Sequence, residues 1–426
     1  MPRKDGDGRT TSGGTLIVGA SQAGLQLAVS LRQLGDTQAI TLVGEEPHAP
    51  YQRPPLSKEF LAGTAELESL AFRAPSFYPE NGIDLVCGER ITALRPGLAT
   101  TASGRELPYD RLALTTGAGP RRLPVPGAGL EGVCYLRDHA DAAGLRGRLA
   151  SATRVVVVGG GFIGLEAASV ARAAGLSVTV VEAAGRLLGR AVAPVVSDFY
   201  ARAHRRRGVD VLLSTGVTAI EPDASGRRAA GVVLADGTLL AADLVLVGIG
   251  AVPRTELAEQ LGLVCDGGIV VDAAARTSDP AVVSAGDCTV QPHPLTGEGR
   301  LRIESVQNAV AQAQTAAATL LGRPAPAKAV PWFWSYQGDL RLQIAGLSTG
   351  HDTSVVRGAV DDEHFSVLYY REGRLIAVDA VNRPADYMAV RKALTQGATI
   401  PAEAAADADA PLKTLITEVA SAAPAA

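Results

Sequence analysis

Gly19 and Gly24 with Ser21 between them, and then Gly159, Gly161 and Gly164, each stand where an apolar run ends and a helical pattern begins. Small residues at that spacing suit one task, the holding of a pyrophosphate. The first turns the chain, the second admits a phosphate close to the backbone, and the third lets helix pack on strand. The anion then meets exposed N–H groups at the positive end of the helix. A single fingerprint of this kind is a weak signal, but two in one chain predict two dinucleotides held at once. Glu45 follows the first, at the end of the run Ile40–Val43, and Glu182 follows the second, after Val178–Val181. A carboxylate at such a strand end accepts hydrogen bonds from ribose hydroxyls. At Glu182 it favours a free 2′-hydroxyl and repels a 2′-phosphate, so NADH is preferred over NADPH, a preference tempered by Arg186 and Arg190 nearby. A solvated acid at a strand end is the alternative reading of both positions.

The elements that must carry these residues alternate. Thr15 to Val18 reads as a buried strand, Ala23 to Leu34 as a helix closed by Gly35, and Ala39 to Val43 as the next strand; Arg154 to Val158, Phe162 to Ala174 and Ser177 to Val181 repeat the order. Strand and helix in alternation predict a parallel sheet. The likeness continues through Ser103–Arg121 and Asp236–Arg254, each a turn, a short strand, an aspartate, an apolar strand and then glycine and proline. Internal duplication is the simplest account. The second half is contiguous and suits a mobile nicotinamide. The first is split around it, completed by Thr277–Asp287, a strand ending in Gly-Asp whose aspartate is placed to accept from a ribityl chain, a group that only a flavin nucleotide carries. From Val330 the pattern changes to alternating strands and one helix, Ala385 to Thr395, a small α+β domain.

The predicted fold is therefore α/β, with two Rossmann-like dinucleotide-binding domains and a C-terminal α+β domain. The boundaries are residues 13–118 with 251–329 for FAD, 119–250 for NAD, and 330–426 for the last domain with a mobile tail; residues 1–12 are expected to be mobile. A chain of 426 residues exceeds what one core usually organises. Charged residues make up 20% and the net charge is −4, which gives no overall attraction to nucleic acid or membrane. Apolar runs are strand-sized, well short of a membrane span, and the first residues lack a secretory apolar segment, so a cytoplasmic location is expected. Cys87, Cys134, Cys265 and Cys288 lie far apart with no C-x-x-C or metal-ligand spacing. No metal site is expected, and no cysteine is placed to relay electrons after the first fingerprint.

Six strings in order carry a family resemblance: Pro50–Lys58 (PYQRPPLSK), Gly159–Glu166 (GGGFIGLE), Ala285–Cys288 (AGDC), Arg302–Ala309 (RIESVQNA), Pro331–Ser335 (PWFWS) and Ala380–Pro384 (AVNRP). On these residues the chain resembles the FAD-dependent NADH:ferredoxin reductases that serve haem-thiolate monooxygenases and Rieske oxygenases. The resemblance implies a tightly bound FAD touched by Ala23 beside the glycines, Glu45 at the ribose, Ile91 near the adenine, Arg137, Asp287 at the ribityl and Val306 near the pyrimidine ring. Arg53, Thr116 and Gly117 complete that set. On the nicotinamide side it implies Phe162, Ile163 and Gly250 beside the second glycine loop. Lys58 and Glu166 are implied as a catalytic pair beside flavin N5. An ammonium there stabilises the charge that arrives with hydride, and a carboxylate keeps it protonated and oriented. Three departures stand out: Ser21 in place of a glycine, Gln52 where an acid is frequent, and Gly338 where an aromatic is common.

The implied activity is hydride transfer from NADH to FAD, followed by single-electron delivery to a 2Fe–2S ferredoxin. Other acceptors, such as rubredoxin or oxygen, remain open, as does a redox-sensing binding protein similar to the apoptosis-inducing factors. Trp332 and Trp334 read either as an electron exit or as core. Arg300, Arg302, Arg341 and the run Arg205–Arg207 read either as steering charges for an acidic ferredoxin or as solvated surface.

Overall fold

The computed structural model describes residues 13–327 and 329–418. The mobile termini expected from the sequence lie outside them. The chain forms two compact units. One runs to Gln52 and adds Leu67–Gly119 and Ala251–Ala329; the other holds Arg53–Glu66, Pro120–Gly250 and the chain from Val330. The segment 53–66, expected within the FAD domain, thus clusters with the second unit.

In the first unit, Thr15–Val18 lies central in a parallel sheet ordered Val282–Ser284, Arg111–Leu114, Thr15–Val18, Ile40–Val43, Ile83–Val86. Its central strands are covered on both faces, which is why Thr15–Val18 and Ile40–Val43 read as near-continuous apolar runs, whereas the edge strand Ile83–Val86 leaves Asp84 exposed. The first fingerprint helix, Gln22–Gln33, packs against Val306–Leu320, burying Leu27, Ala28 and Leu31 with Ala313, Ala316 and Ala317. It ends at Leu34 and Gly35, whose φ of +86° is the left-handed position that glycine tolerates.

The second unit repeats the plan with Arg154–Val158 central in a parallel sheet ordered Val209–Leu212, Ser177–Val181, Arg154–Val158, Leu244–Val247, Val133–Cys134. The aspartates of the duplicated segments play matching structural parts. Asp110 accepts from Gly14 N at 3.1 Å, and Asp243 accepts from Thr153 N and Arg154 N at 3.0 and 2.9 Å, so each fixes the start of its central strand. Those bonds, with the Thr153 hydroxyl the strongest, hold the Asp243 carboxyl well below the usual range.

The C-terminal part of the second unit is an antiparallel sheet ordered Trp332–Gln337, Leu340–Gly346, Arg374–Val381, His364–Arg371, Thr353–Ala359. Helix Pro384–Thr395 packs on it, burying Tyr387, Val390 and Ala393. Arg357, only 2% exposed, bonds Asp386 and donates to the carbonyls of Ala405, Asp407, Ala408 and Ala410, tying the following segment to the sheet. That segment is followed by a short 3-10 turn, Leu412–Thr414.

Candidate functional site

Both glycine loops are shaped as cradles. Gly19 has φ +117°, and a Cβ on it would lie 2.1 Å from the Thr115 carbonyl oxygen; Gly159 has φ +109° and a Cβ there would lie 2.5 Å from the Gly248 oxygen. Cβ atoms at Gly24 and Gly164 would lie 2.1 and 2.4 Å from the carbonyl oxygens of Gly19 and Gly159. No side chain larger than hydrogen fits at these four positions. The middle position is different. Ser21 (φ −138°, ψ −153°) and Gly161 (φ −84°, ψ 177°) are both extended N-caps, conformations open to any residue. A Cβ at Gly161 would meet only one atom, 4.0 Å away. Serine at this place therefore costs no backbone strain. Neither fingerprint helix has an acidic residue in its first turn, leaving the positive end of each dipole uncompensated for an anion. The cradles fit two dinucleotide pyrophosphates.

In the first unit, Ala23 is buried against Gly286, where a Cβ would approach it to 3.2 Å. Gly286 N donates to Gln312 at 2.8 Å, which fixes the loop carrying half-buried Asp287. Val306 opens the helix capped by Ser305. Thr116 donates to the Arg254 carbonyl at 2.7 Å, and Arg254 N donates back to Gly117 O at 3.0 Å. Glu45, exposed at its strand end, forms an ion pair with Arg254 and lies 3.9 Å from Arg90. Ile91 is 5% exposed in an apolar cluster with Val43, Val86 and Leu94; its side chain belongs to the core.

In the second unit, Glu182 accepts from Gly160 N and Ala184 N, both at 2.7 Å. Arg186 donates to the carbonyls of Gly189 and Val192 at 2.5 and 2.9 Å, so its guanidinium is committed to its own loop. Arg190 lies beside Gly250. Phe162 meets Phe333 at 4.6 Å between ring centroids, and Ile163, next along the helix, is 45% exposed. Arg53 donates to the Arg137 carbonyl at 2.8 Å.

Lys58 and Glu166 are brought together. Pro54 and Pro55 start a 3-10 turn whose last residue is Ser57, and Lys58 N closes it onto Pro55 O at 3.0 Å; proline fixes φ where such a turn begins. Lys58 Nζ then lies 2.7 Å from Glu166 Oε2, and the two side chains are 13% and 5% exposed. Glu166 sits on the buried face of helix Phe162–Ala173. A carboxylate so placed needs donors, and it has three. Ser57 Oγ donates to Oε2 at 2.6 Å and Ser335 Oγ to Oε1 at 2.7 Å, besides Lys58. Ser57 and Ser335 did not emerge from the sequence as site residues, although they stand in the strings PPLSK and PWFWS.

No two cysteines are joined, although Cys265 and Cys288 share one apolar cluster. All four are free thiols, and burial pushes each of them up in pKa, Cys288 being completely enclosed. Of the arginines read as steering charges, Arg206 and Arg207 pair with Glu363, Arg207 also with Asp339, and Arg302 with Glu304. Trp332 and Trp334 stack at 5.3 Å and are half-buried, with Arg391 over Trp332.

A family model described as pyridine nucleotide-disulphide oxidoreductase matches residues 14–313, and a reductase C-terminal model matches 332–416. The chain belongs to the pyridine nucleotide-disulphide oxidoreductase family. The chain is 47% identical to rhodocoxin reductase of Rhodococcus erythropolis, over 94% of each chain. It is 45% identical to the ferredoxin reductase subunit of 5,5′-dehydrodivanillate O-demethylase from Sphingobium sp., over 94% of this chain and 97% of the relative. The crystal structure of the covalent putidaredoxin reductase–putidaredoxin complex superposes with a TM-score of 0.91 at 41% identity, covering 94% of this chain and 97% of that one. The expected fold, two dinucleotide-binding domains and a C-terminal α+β domain, is the fold of these reductases.

Proposed function

We propose that this protein is an NADH-dependent ferredoxin reductase that feeds electrons to a haem-thiolate monooxygenase or Rieske oxygenase through a 2Fe–2S ferredoxin. The observation that carries the reading is the buried Lys58–Glu166 pair, held by Ser57 and Ser335 on the helix that the second glycine loop opens. Similarity over 94% of the chain to a rhodocoxin reductase, to the ferredoxin reductase subunit of an O-demethylase and to putidaredoxin reductase supports it. Bound FAD supplies the conversion of a two-electron hydride donor into a one-electron source. Gly19, Ser21 and Gly24 admit its pyrophosphate, Glu45 accepts from its ribose, and Asp287 from its ribityl chain, with Ala23, the backbone of Ile91, Thr116, Gly117, Val306, Arg53 and Arg137 completing the contacts.

The loop Gly159–Gly164 holds the pyrophosphate of NADH. Glu182 keeps a lone pair on each oxygen for the adenosine ribose, while Phe162, Ile163 and Gly250 border the nucleotide. Arg186, bonded to its own loop, offers little to a 2′-phosphate, which supports NADH over NADPH. Lys58 presents a fixed ammonium to the charge that develops as hydride moves, and Glu166 orients it. No helix among the described residues is long and apolar enough to cross a membrane; we place the protein in the cytoplasm. Steady-state NADH oxidation with and without added 2Fe–2S ferredoxin tests the reading, with cytochrome c as terminal acceptor. Ferredoxin is expected to accelerate turnover strongly. Equally fast turnover on oxygen alone would overturn it.

A further inference from the structure

Beyond the Lys58–Glu166 pair lies a line of buried polar side chains. Ser335 and Gln337 are two residues apart on the strand Trp332–Gln337, so both project from one face. Neither is exposed at all, and His204, on helix Pro194–Arg206, is 1% exposed. Gln337 Nε2 lies 3.3 Å from Ser335 Oγ, and Gln337 Oε1 lies 2.7 Å from His204 Nε2. Ser335 Oγ in turn lies 2.7 Å from Glu166 Oε1.

The direction of these bonds is fixed by their end. A carboxylate acting as acceptor for three donors takes the one proton of the Ser335 hydroxyl. Ser335 Oγ can then only accept from its other neighbour, so Gln337 presents its amide NH₂ to the serine and its carbonyl to the histidine. His204 must carry its proton on Nε2. Its burial pushes its pKa down, consistent with a neutral ring that donates once. The opposite amide orientation would leave Gln337 Oε1 and Glu166 Oε1 competing for one hydroxyl proton. Side chains there for packing alone have no need of polar atoms, since an apolar trio fills such a space without the cost of burying three polar groups.

We infer that Ser335 is a positioning residue for the Glu166 carboxylate, and that Gln337 and His204 set the direction of its hydroxyl, so that the C-terminal domain orients the Lys58 ammonium through a one-way chain of donors. This rests on the role proposed above for Lys58 and Glu166. The chain acts by fixing one oxygen of Glu166 so that the other is held to Lys58.

A double-mutant cycle of Ser335→Ala and Glu166→Gln in the FAD-loaded protein tests it, read by stopped-flow flavin reduction with NADH, by the flavin midpoint potential and by thermal unfolding. Ser335→Ala is expected to slow reduction about tenfold, the size of one lost hydrogen bond to a charged group, at unchanged NADH affinity, and to lower the midpoint potential. In the Glu166→Gln background the same substitution is expected to change neither. Gln337→Met is expected to act in the same direction with a smaller effect, and carries the test should Ser335→Ala fail to fold. Equal effects of Ser335→Ala in both backgrounds, or wild-type rate and potential in the folded variant, would overturn the inference. The unfolding arm reads the coupling of Ser335 to Glu166 without any electron acceptor, so a protein that reduces no ferredoxin would refute the proposed function and still report on this chain of bonds.

Discussion

The Glu182 carboxylate accepts the backbone N–H of Gly160 at 2.7 Å, so an acid at the end of one strand clamps the glycine loop at the end of its neighbour. Loop shape and ribose recognition thus depend on one side chain. Glu182→Ala is expected to raise the KM for NADH and to shift the NADPH-to-NADH ratio of kcat/KM upward by roughly tenfold, about 1.4 kcal/mol. Bonding of Arg186 within its own loop keeps the change from being larger. An unchanged ratio in steady-state kinetics would reject the ribose assignment.

Lys58→Met removes an ammonium and leaves Glu166 with its two serine donors. Stopped-flow flavin reduction by NADH is expected to slow by roughly 10²-fold, the scale of one lost electrostatic donor, while FAD content after purification stays near wild type. Loss of a partner from a buried pair is also expected to lower stability by about 3 kcal/mol, visible in thermal unfolding.

Gly164→Ala places a methyl carbon 2.4 Å from the Gly159 carbonyl oxygen. The helix must move away from its strand, at a cost of about 1–3 kcal/mol. NADH affinity is expected to fall more than tenfold with FAD retained, whereas Gly24→Ala is expected to give protein poor in flavin. Isothermal titration and the absorbance ratio of flavin to protein distinguish the two. Ser21→Gly, at a position where the backbone is already extended, is expected to leave FAD content unchanged.

Asp379 is completely buried on the strand Arg374–Val381, bonded to the Tyr369 hydroxyl, and burial raises its pKa to about 7. The native state then holds a proton that the unfolded chain releases near pH 4. Stability is lost as pH rises from about 4 to about 7, by on the order of 2–4 kcal/mol. His204, pushed down by burial, acts in the opposite sense, since the unfolded chain gains a proton below about pH 6.5. Asp379→Asn isolates the first effect: the difference in Tm from wild type is expected to be small at pH 5 and to favour the variant at pH 8. A constant difference across that range would exclude it.

Arg357→Met leaves Asp386 buried with Ser366 and Arg383 as remaining partners and frees the carbonyls of residues 405–410. Hydrogen exchange is expected to quicken from Ala402 to Leu415 and to stay unchanged in the strand Arg154–Val158.

The chemistry that depends on backbone was legible in the sequence, because glycine spacing, strand length and helix pattern are local. The strands Thr15–Val18 and Arg154–Val158 and their helices fall within a residue of expectation. Glu45 and Glu182 stand at strand ends as read. What local pattern does not show is partnership over distance. Ser335 bonds a residue 169 positions away and Ser57 one 109 away, and in sequence neither is distinguishable from the other serines of the chain. Gln337 and His204 are invisible for the same reason. The aromatics of the strand Trp332–Gln337 are half-buried on both faces and do not alternate, so no period of two marks it in the sequence. The Ala385–Thr395 helix, by contrast, begins one residue earlier at Pro384, a start that proline favours.

A stretch of three consecutive arginines advertises itself as a landing place for anions. Here two of them already have tenants: Glu363 bridges Arg206 and Arg207, and Asp339 grips Arg207 with both oxygens. The third, Arg205, is turned to the Val211 carbonyl. Whatever acidic protein approaches this end of the helix meets charge that is largely balanced within the fold, with one guanidinium of the three left without a counter-charge in these bonds.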